Sequence, residues 1–278
     1  MNLSVVIPAY NEEENIERTV RAFYEKLKEE KIPHEIVVSV DPSKDDTEGV
    51  MKRLSKEIKE VRYVNNQPPH GFGFNVRNGL ANYKGDCVAI VMADMSDRPV
   101  DLVKYYRTML KGNFDCVFGS RFIKGGKTIG YPKKKIFLNR FTNGLIRMLF
   151  GIKYNDITNA FKLYKRETIE GLQPLLSHHF NLTVELPLKA IVRGYTYAVV
   201  PNHWTNRTAG QSTLKIKEMG SRYFYIILYC LIEKGLSRGD YLKGPDHPAQ
   251  GDPGSPRGEG RRPGRFSGAG RRGDRRRG

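Results

Sequence analysis

The chain has 278 residues, a formal net charge of +17 and 39% hydrophobic residues. That length can bury one α/β core of roughly 220–240 residues, which excludes a small stapled fold. Its cysteines, Cys87, Cys116 and Cys230, are odd in number and lack paired spacing, so they read as packing residues in a reducing compartment.

In chain order, residues 3–7 form an apolar strand stopped by Pro8. Asn11 then reads as a cap, with acids in the first turn of a helix over 12–30. A second strand, 35–40, ends in Asp41 and leads through Pro42-Ser-Lys-Asp-Asp-Thr47 into a helix over 45–59. Further strands fall at 61–65, 87–93 and 115–119, with a short one within Tyr195-Thr-Tyr-Ala-Val-Val200. Further helices fall at 74–83, 99–111, 135–149, 182–193 and 215–234. Such alternation specifies a mostly parallel sheet with helices on both faces. The strand of 87–93 is the most telling, because Asp94, Ser96 and Asp97 follow its carboxyl end, where open α/β sheets bind ligands. Asp and Ser oxygens suit Mg²⁺ or Mn²⁺, and such an ion suits a diphosphate.

Several separated blocks in order resemble family 2 glycosyltransferases, and among them the polyprenyl-phosphate hexosyltransferases of the dolichol-phosphate mannose synthase type. They are Pro8-Ala-Tyr-Asn-Glu-Glu13, Val40-Asp-Pro-Ser-Lys-Asp-Asp-Thr47, His70-Gly-Phe-Gly-Phe-Asn-Val-Arg-Asn-Gly79 and Met92-Ala-Asp94. Three more follow: Gly119-Ser-Arg-Phe122, Asp156-Ile-Thr-Asn-Ala-Phe-Lys-Leu-Tyr164 and Asn206-Arg-Thr-Ala-Gly-Gln-Ser212. The resemblance covers about residues 3–215. It implies a GT-A, Rossmann-like nucleotide-sugar-binding fold over 1–214, with a nucleotide-sugar half (1–119) and an acceptor half (120–214).

By the same resemblance the donor contacts are Pro8, Tyr10, Asn11, Glu12, Asp41, Ser43, Gly71, Gly73, Ala93 and Asp94. Asp41 is expected at the nucleotide base. The acceptor phosphate falls to Arg121, Lys135, Arg140, Arg207 and Ser212, because Arg grips phosphate with two parallel donors. Asp156 is expected to align acceptor or sugar, and Glu185 to meet a sugar hydroxyl. Asp94, Asp156, Arg121 and Arg207 make up the expected catalytic set, with Asp94 and Ser96 on the metal, Mg²⁺ or Mn²⁺. Two positions depart from the family pattern: Val40 and Met92 each stand where it has an aspartate. Two aspartates from one strand end therefore cannot share the ion, and Asp94 carries it with Ser96 or Asp97 and the diphosphate oxygens.

Within 215–243, Phe224-Tyr-Ile-Ile-Leu-Tyr-Cys-Leu-Ile232 is far shorter than the ~20 apolar residues a spanning helix needs. The segment reads as an amphipathic helix lying in the headgroup zone, with Ile226, Ile227 and Leu231 inserted. Packing on the sheet or on a membrane partner subunit is the alternative. Residues 244–278 carry nine arginines against four acids among Gly and Pro, and read as a disordered basic tail attracted to anionic lipid. Nucleic-acid binding by such a tail is electrostatic and sequence-independent, so no specific nucleic-acid partner is expected. No basic region precedes the first strand, so no signal peptide is expected. The expected place is the cytoplasmic face of a membrane, held peripherally.

The resulting expectation is inverting transfer of a hexose from a nucleotide sugar, of the GDP-mannose or UDP-glucose type, to a polyprenyl or dolichyl phosphate. Two other readings stay open at this point. One keeps the donor and takes a glycan hydroxyl as acceptor, which needs a general base. The other is a nucleotide-sugar-binding subunit that lost catalysis with Val40 and Met92.

Overall fold

The computed structural model describes residues 1–207, 216–237 and 239–243. The first half alternates strand and helix: β1 (Leu3–Ala9), α1 (Glu13–Glu29), β2 (His34–Val40), α2 (Thr47–Glu57), β3 (Val61–Asn65), α3 (Phe72–Asn82), β4 (Cys87–Ile90), α4 (Pro99–Gly112) and β5 (Cys116–Ser120). The second half adds β6 (Lys127–Ile129), α5 (Lys133–Phe150), β7 (Lys162–Lys165), α6 (Arg166–Gly171), α7 (Leu182–Val192), β8 (Tyr197–Pro201), β9 (His203–Thr205) and α8 (Ile216–Leu236).

The main sheet has seven strands in the order β3-β2-β1-β4-β7-β5-β8, and β6 pairs with β9 in a small second sheet. Only β7 runs antiparallel to its neighbours in the main sheet. The chain runs outward from β1 to β3, then returns to place β4 on the other side of β1. That reversal splays the loops after β1 and β4 and opens a crevice at their carboxyl ends, the standard ligand position for such sheets.

Strand periodicity builds two cores. Leu3, Val5, Ile7 and Ala9 of β1 and Ile36, Val38 and Val40 of β2 pack under α1, α2 and α4. Val6 and Val37 point the other way, into the layer containing α3, α5, α7 and α8. Val40 is thus a core residue at the end of β2, which accounts physically for an apolar residue there. All three cysteines are buried and unpaired, and burial pushes the Cys87 thiol up to about 12.

Four short elements escape a reading by periodicity: β6, β7, α6 and β9. The strand expected over 87–93 ends at Ile90; Val91 N still donates to Val6 O at 3.0 Å, and Met95 then turns left-handed at φ 57°. Asn11 does not cap α1. At φ 53° it aims its Oδ1 at Lys44 N (2.8 Å), and this lacing to the β2–α2 loop takes the oxygen away from the helix end.

The helix expected over 215–234 is α8, and its inward face differs from the one expected to insert. Ile226 and Cys230 are fully buried, and Ile227 and Leu231 pack half-buried on the same core. The exposed face is Phe224, Tyr225, Leu228, Ile232 and Leu236. Beside it, α5 exposes Phe137, Leu138, Phe141, Leu145, Met148 and Leu149. Lys234 of α8 donates to Phe150 O at the end of α5 (2.6 Å), which ties the two helices together.

Inside β7, Lys162 is buried and donates to Ile157 O (3.0 Å) and Thr183 O (3.2 Å). Burial pulls its ammonium down to about 7, with Asp156 working in the opposite sense. Below pH 7 both folded and unfolded chains hold this proton. From pH 7 towards 10 the unfolded chain still holds it while the folded chain has lost it, so this group makes stability rise with pH. Chemical denaturation at pH 7, 8 and 9 is expected to show that rise in the wild type. Lys162→Met should flatten it; a variant with the same pH slope would show that another group is responsible.

Candidate active site

The site lies in the crevice between the loops after β1 and β4. Asp94 follows β4, and its Oδ1 accepts Ser96 N at 3.0 Å, so the carboxylate shapes its own turn. Its Oδ2 meets Arg207 Nη2 at 2.8 Å. Glu12, at the start of α1, places Oε1 3.8 Å from Arg207 Nη1. Burial pushes the Glu12 carboxyl up, although Asn15 donates to it at 2.8 Å and Arg207 stands opposite. Thr19 Oγ1 donates to Ala93 O at 2.6 Å, which fixes α1 against the Asp94 turn. Arg207 arrives through β9, because Thr205 N donates to Ser96 O at 3.1 Å.

Where the sequence places the donor contacts, the loops after β1 and β2 are laced together. Asn11 N donates to Ser43 Oγ (3.1 Å) and Glu12 N to Thr47 Oγ1 (2.9 Å). Pro8 is buried in β1 and Tyr10 is exposed at the rim. Asp41 is buried, accepting from Asn66 Nδ2 (2.6 Å) and Gly71 N (3.1 Å), with His70 at 3.6 Å. Gly71 needs its freedom, since it holds φ 133° at the start of α3. Gly73 lies against the chain at His178: a Cβ there would sit 2.4 Å from the His178 carbonyl carbon. The close approach at Gly73 is therefore to protein backbone.

Arg121 and Asp156 meet each other. Arg121 Nε and Nη2 donate to Asp156 Oδ2 (2.9 Å) and Oδ1 (2.7 Å), and Arg121 N adds a third bond at 2.8 Å. Asp156 is fully buried and has both oxygens taken by Arg121, so it acts on that arginine. Burial works against the Arg121 charge, but Asp156 outweighs it and holds the guanidinium above its ordinary value. The Arg121 guanidinium lies 5.3 Å from the Phe122 ring and 5.6 Å from Tyr131, and Arg140 reaches Phe122 at 5.7 Å. Arg140 is exposed and Lys135 half-buried, both on α5. Trp204 packs edge-on against Tyr131 at 4.7 Å. Ser212, with residues 208–215, lies outside the described residues, as does the tail of 244–278.

Glu185 does not reach the crevice. It is fully buried, accepts from Leu176 N and Ser177 N (each 2.7 Å) and pairs with Lys189 at 2.7 Å. Asp97, beside the site, accepts Met92 N at 3.3 Å; burial, helped by the Asp94 charge, pushes its carboxyl up to about 7. Two contributors escaped the sequence reading. Asn66 follows the end of β3, so the strand-end rule that found Asp41 and Asp94 applies to it as well. In the Phe122–Tyr131 pair that flanks Arg121, Phe122 belongs to the Gly119–Phe122 block, while Tyr131 comes from a loop outside every motif.

The oxygen ligands are hard and few. Among the described residues no group of three or more His, Cys, Asp or Glu is arranged to hold an ion unaided. A Mg²⁺-type ion on a diphosphate takes one or two carboxylates and completes its shell with phosphate oxygens and water. Asp94 fits that shared arrangement, and it already attracts a cation, the Arg207 guanidinium.

The site is thus an open α/β sheet with acidic loops at its reversal point and Arg207 beside them. Residues 4–172 match glycosyl transferase family 2, and the chain belongs to that family. It is 28% identical over 228 residues to the polyprenol monophosphomannose synthase of Mycolicibacterium smegmatis, covering 76% of this chain and 80% of the relative. It is 30% identical over 220 residues to the dolichol-phosphate mannosyltransferase of Pyrococcus furiosus, covering 78% of this chain and 60% of the relative. Against the glycosyltransferase AglD of Haloferax volcanii the chain spans only a third of the relative's length, with 28% identity over 208 residues. The fold is that of glucosyl-3-phosphoglycerate synthase from Mycobacterium tuberculosis, solved with Mn²⁺, UDP and phosphoglyceric acid. The TM-score is 0.63 at 19% identity, over 84% of this chain and 78% of that one. This is the GT-A fold expected from the sequence.

Proposed function

We propose that the protein transfers a hexose from a nucleotide sugar to a polyprenyl or dolichyl phosphate, with inversion, at the cytoplasmic face of a membrane. The observation that carries this is the joining of Asp94 at the reversal point to Arg207 at the mouth of the crevice, 2.8 Å apart. One carboxylate faces the donor diphosphate and one arginine faces the incoming acceptor. The two relatives named for polyprenol and dolichol phosphate substrates support the acceptor class.

Asp41, Asn66 and Gly71 shape the floor for the nucleotide. Asp94 would hold Mg²⁺ or Mn²⁺, which when bound neutralises the leaving diphosphate. An acceptor phosphate is already ionised near pH 7, so these residues need to clamp it rather than deprotonate it. Arg207 with Arg140 and Lys135 supply cations for that clamp, and Arg121 is held rigid by Asp156 behind them. The glycan-hydroxyl alternative requires a general base. Asp94 and Asp156 are paired with Arg207 and Arg121, and the relatives named for polyprenol and dolichol phosphate favour the phosphate acceptor.

The membrane side is supported by α5 and α8. Phe137 and Met148 are each 73% exposed and Phe224 is 67% exposed, large values for residues of their size. Lys133, Lys134, Arg140 and Arg147 flank this face on α5 and suit anionic headgroups. Attachment through this face is peripheral in this reading; among the described residues no helix is long and apolar enough to cross a membrane.

The test is transfer of labelled sugar from GDP- and UDP-sugars to polyprenyl phosphate in vesicles, with vesicle flotation alongside. The combined variant Phe141→Ser, Met148→Ser, Phe224→Ser, Leu228→Ser should float about tenfold less while keeping its fold, since exposed apolar area alone is removed. Ile226→Ser should instead destabilise the protein. No transfer to any polyprenyl phosphate, or unchanged flotation of the combined variant, would refute the acceptor and the face respectively.

A further inference from the structure

Resting on the donor assignment above, we infer that Glu185 and Lys189 of α7 brace the loop of residues 174–180 against the start of α3, and so position the Gly71 amide and Asp41 for the nucleotide. Glu185 is then a positioning residue that acts through backbone and never touches the donor. The chain between α6 and α7 has no regular structure over 173–177, so its backbone groups need partners from elsewhere. The helix α7 supplies them. Glu185 gives one oxygen to Leu176 N and the other to Ser177 N, each at 2.7 Å, and Lys189 donates to Pro174 O. The two side chains also pair with each other at 2.7 Å, both fully buried. An apolar pair of similar volume at this depth would stabilise the protein as well or better. What the charges add is one backbone path for 174–177.

That path delivers the next residues to α3. Gly73 N, one of the amides that the first turn of a helix leaves unpaired, donates to His178 O at 3.1 Å. Phe180 stacks on Phe72 with ring centroids 4.1 Å apart, and His178 stacks on Phe74 at 4.5 Å. A Cβ at Gly73 would run into the His178 backbone, so the two chains lie directly on each other. On its other side the same turn meets the nucleotide floor. Gly71 N donates to Asp41 Oδ2 at 3.1 Å, and Asn75 Nδ2 donates to Ala9 O at 3.1 Å. The start of α3 is therefore held between the brace and the floor. A shift of the loop carries the Gly71 amide with it, and Asp41 keeps only its bond from Asn66.

The test uses the full chain, with GDP and UDP each titrated calorimetrically in the presence of Mn²⁺, beside steady-state kinetics with polyprenyl phosphate. Glu185→Gln keeps an oxygen for one loop amide and lacks the charge that holds Lys189. Phe180→Leu leaves the buried ion pair intact and removes only the stack on Phe72, so it stays informative where Glu185→Gln fails to fold. Each folded variant should bind the preferred nucleotide about tenfold more weakly and raise the donor KM to match, because small displacements of a positioned group carry losses of at least that order. The KM for polyprenyl phosphate should stay at its wild-type value, and amide hydrogen exchange over Gly71–Gly73 should quicken. Unchanged nucleotide affinity in the folded variants, or equal rises in both KM values, overturns the brace. Asp41→Asn separates the two possible failures. If it binds nucleotide as the wild type does, the floor assigned under the proposed function fails and the brace falls with it. Weaker binding by Asp41→Asn with none by Glu185→Gln or Phe180→Leu overturns the brace alone.

Discussion

Asp94→Asn is expected to lower turnover by about 10²–10³, the equivalent of several kcal/mol of lost charge stabilisation in the transition state. The substitution is chosen for its economy. Asparagine keeps an oxygen that can accept Ser96 N, so the turn that Asp94 Oδ1 shapes at 3.0 Å survives. What disappears is the negative charge that faces Arg207 and that, under the proposed function, would face the ion. Donor affinity measured with Mn²⁺ should fall, and affinity measured without it should change little. Met92→Asp is the companion, because Met92 stands half-buried at the same strand end. Its new carboxylate would lie near Asp94 and Asp97 and should tighten Mn²⁺ binding. Near-normal turnover of Asp94→Asn at saturating Mn²⁺ would remove Asp94 from the metal and return the departure at Met92 to an unexplained substitution.

The parts of this protein visible in the sequence are those governed by local periodicity. Runs such as Leu3–Ala9 and Cys87–Ile90 are buried on both faces, so they are almost entirely apolar, and Asp41 and Asp94 follow the carboxyl ends of β2 and β4, where the topology opens. The antiparallel strand Lys162–Lys165 could not be read in this way. It has four residues, begins with a buried lysine, and owes its place to pairing with β4 and β5. Side-chain partnerships were harder still. Arg121 and Asp156 were each legible as functional-looking residues. Their mutual bond, across 35 positions in sequence, depends on the path of the chain through α5. The exposed stripe Phe137, Phe141, Leu145, Met148 has helical spacing that the sequence does contain. Periodicity alone assigns such a stripe to a core, and only the fold shows that it faces outward.

Asp156→Ala is expected to cost about 3–5 kcal/mol of folding stability, which would make it among the most damaging single changes in the chain. Arg121 and Asp156 side chains are 6% and 0% exposed, so removing the carboxylate leaves a guanidinium with neither water nor partner. Three bonds go at once, including the one from Arg121 N that sets the turn after β5. Lys162 suffers too, because the Asp156 charge is what helps that buried amine keep its proton. Replacing both partners by apolar groups, Arg121→Met with Asp156→Leu, should cost less than Asp156→Ala alone, since no uncompensated charge remains. Urea denaturation of the three proteins at pH 7 measures this ordering. Turnover separates a structural role from a direct one: the anchoring role predicts that residual activity of Asp156→Ala falls in step with the folded fraction and recovers on cooling. A variant that stays within about 1 kcal/mol of wild-type stability yet loses turnover would place Asp156 at the reacting centre instead.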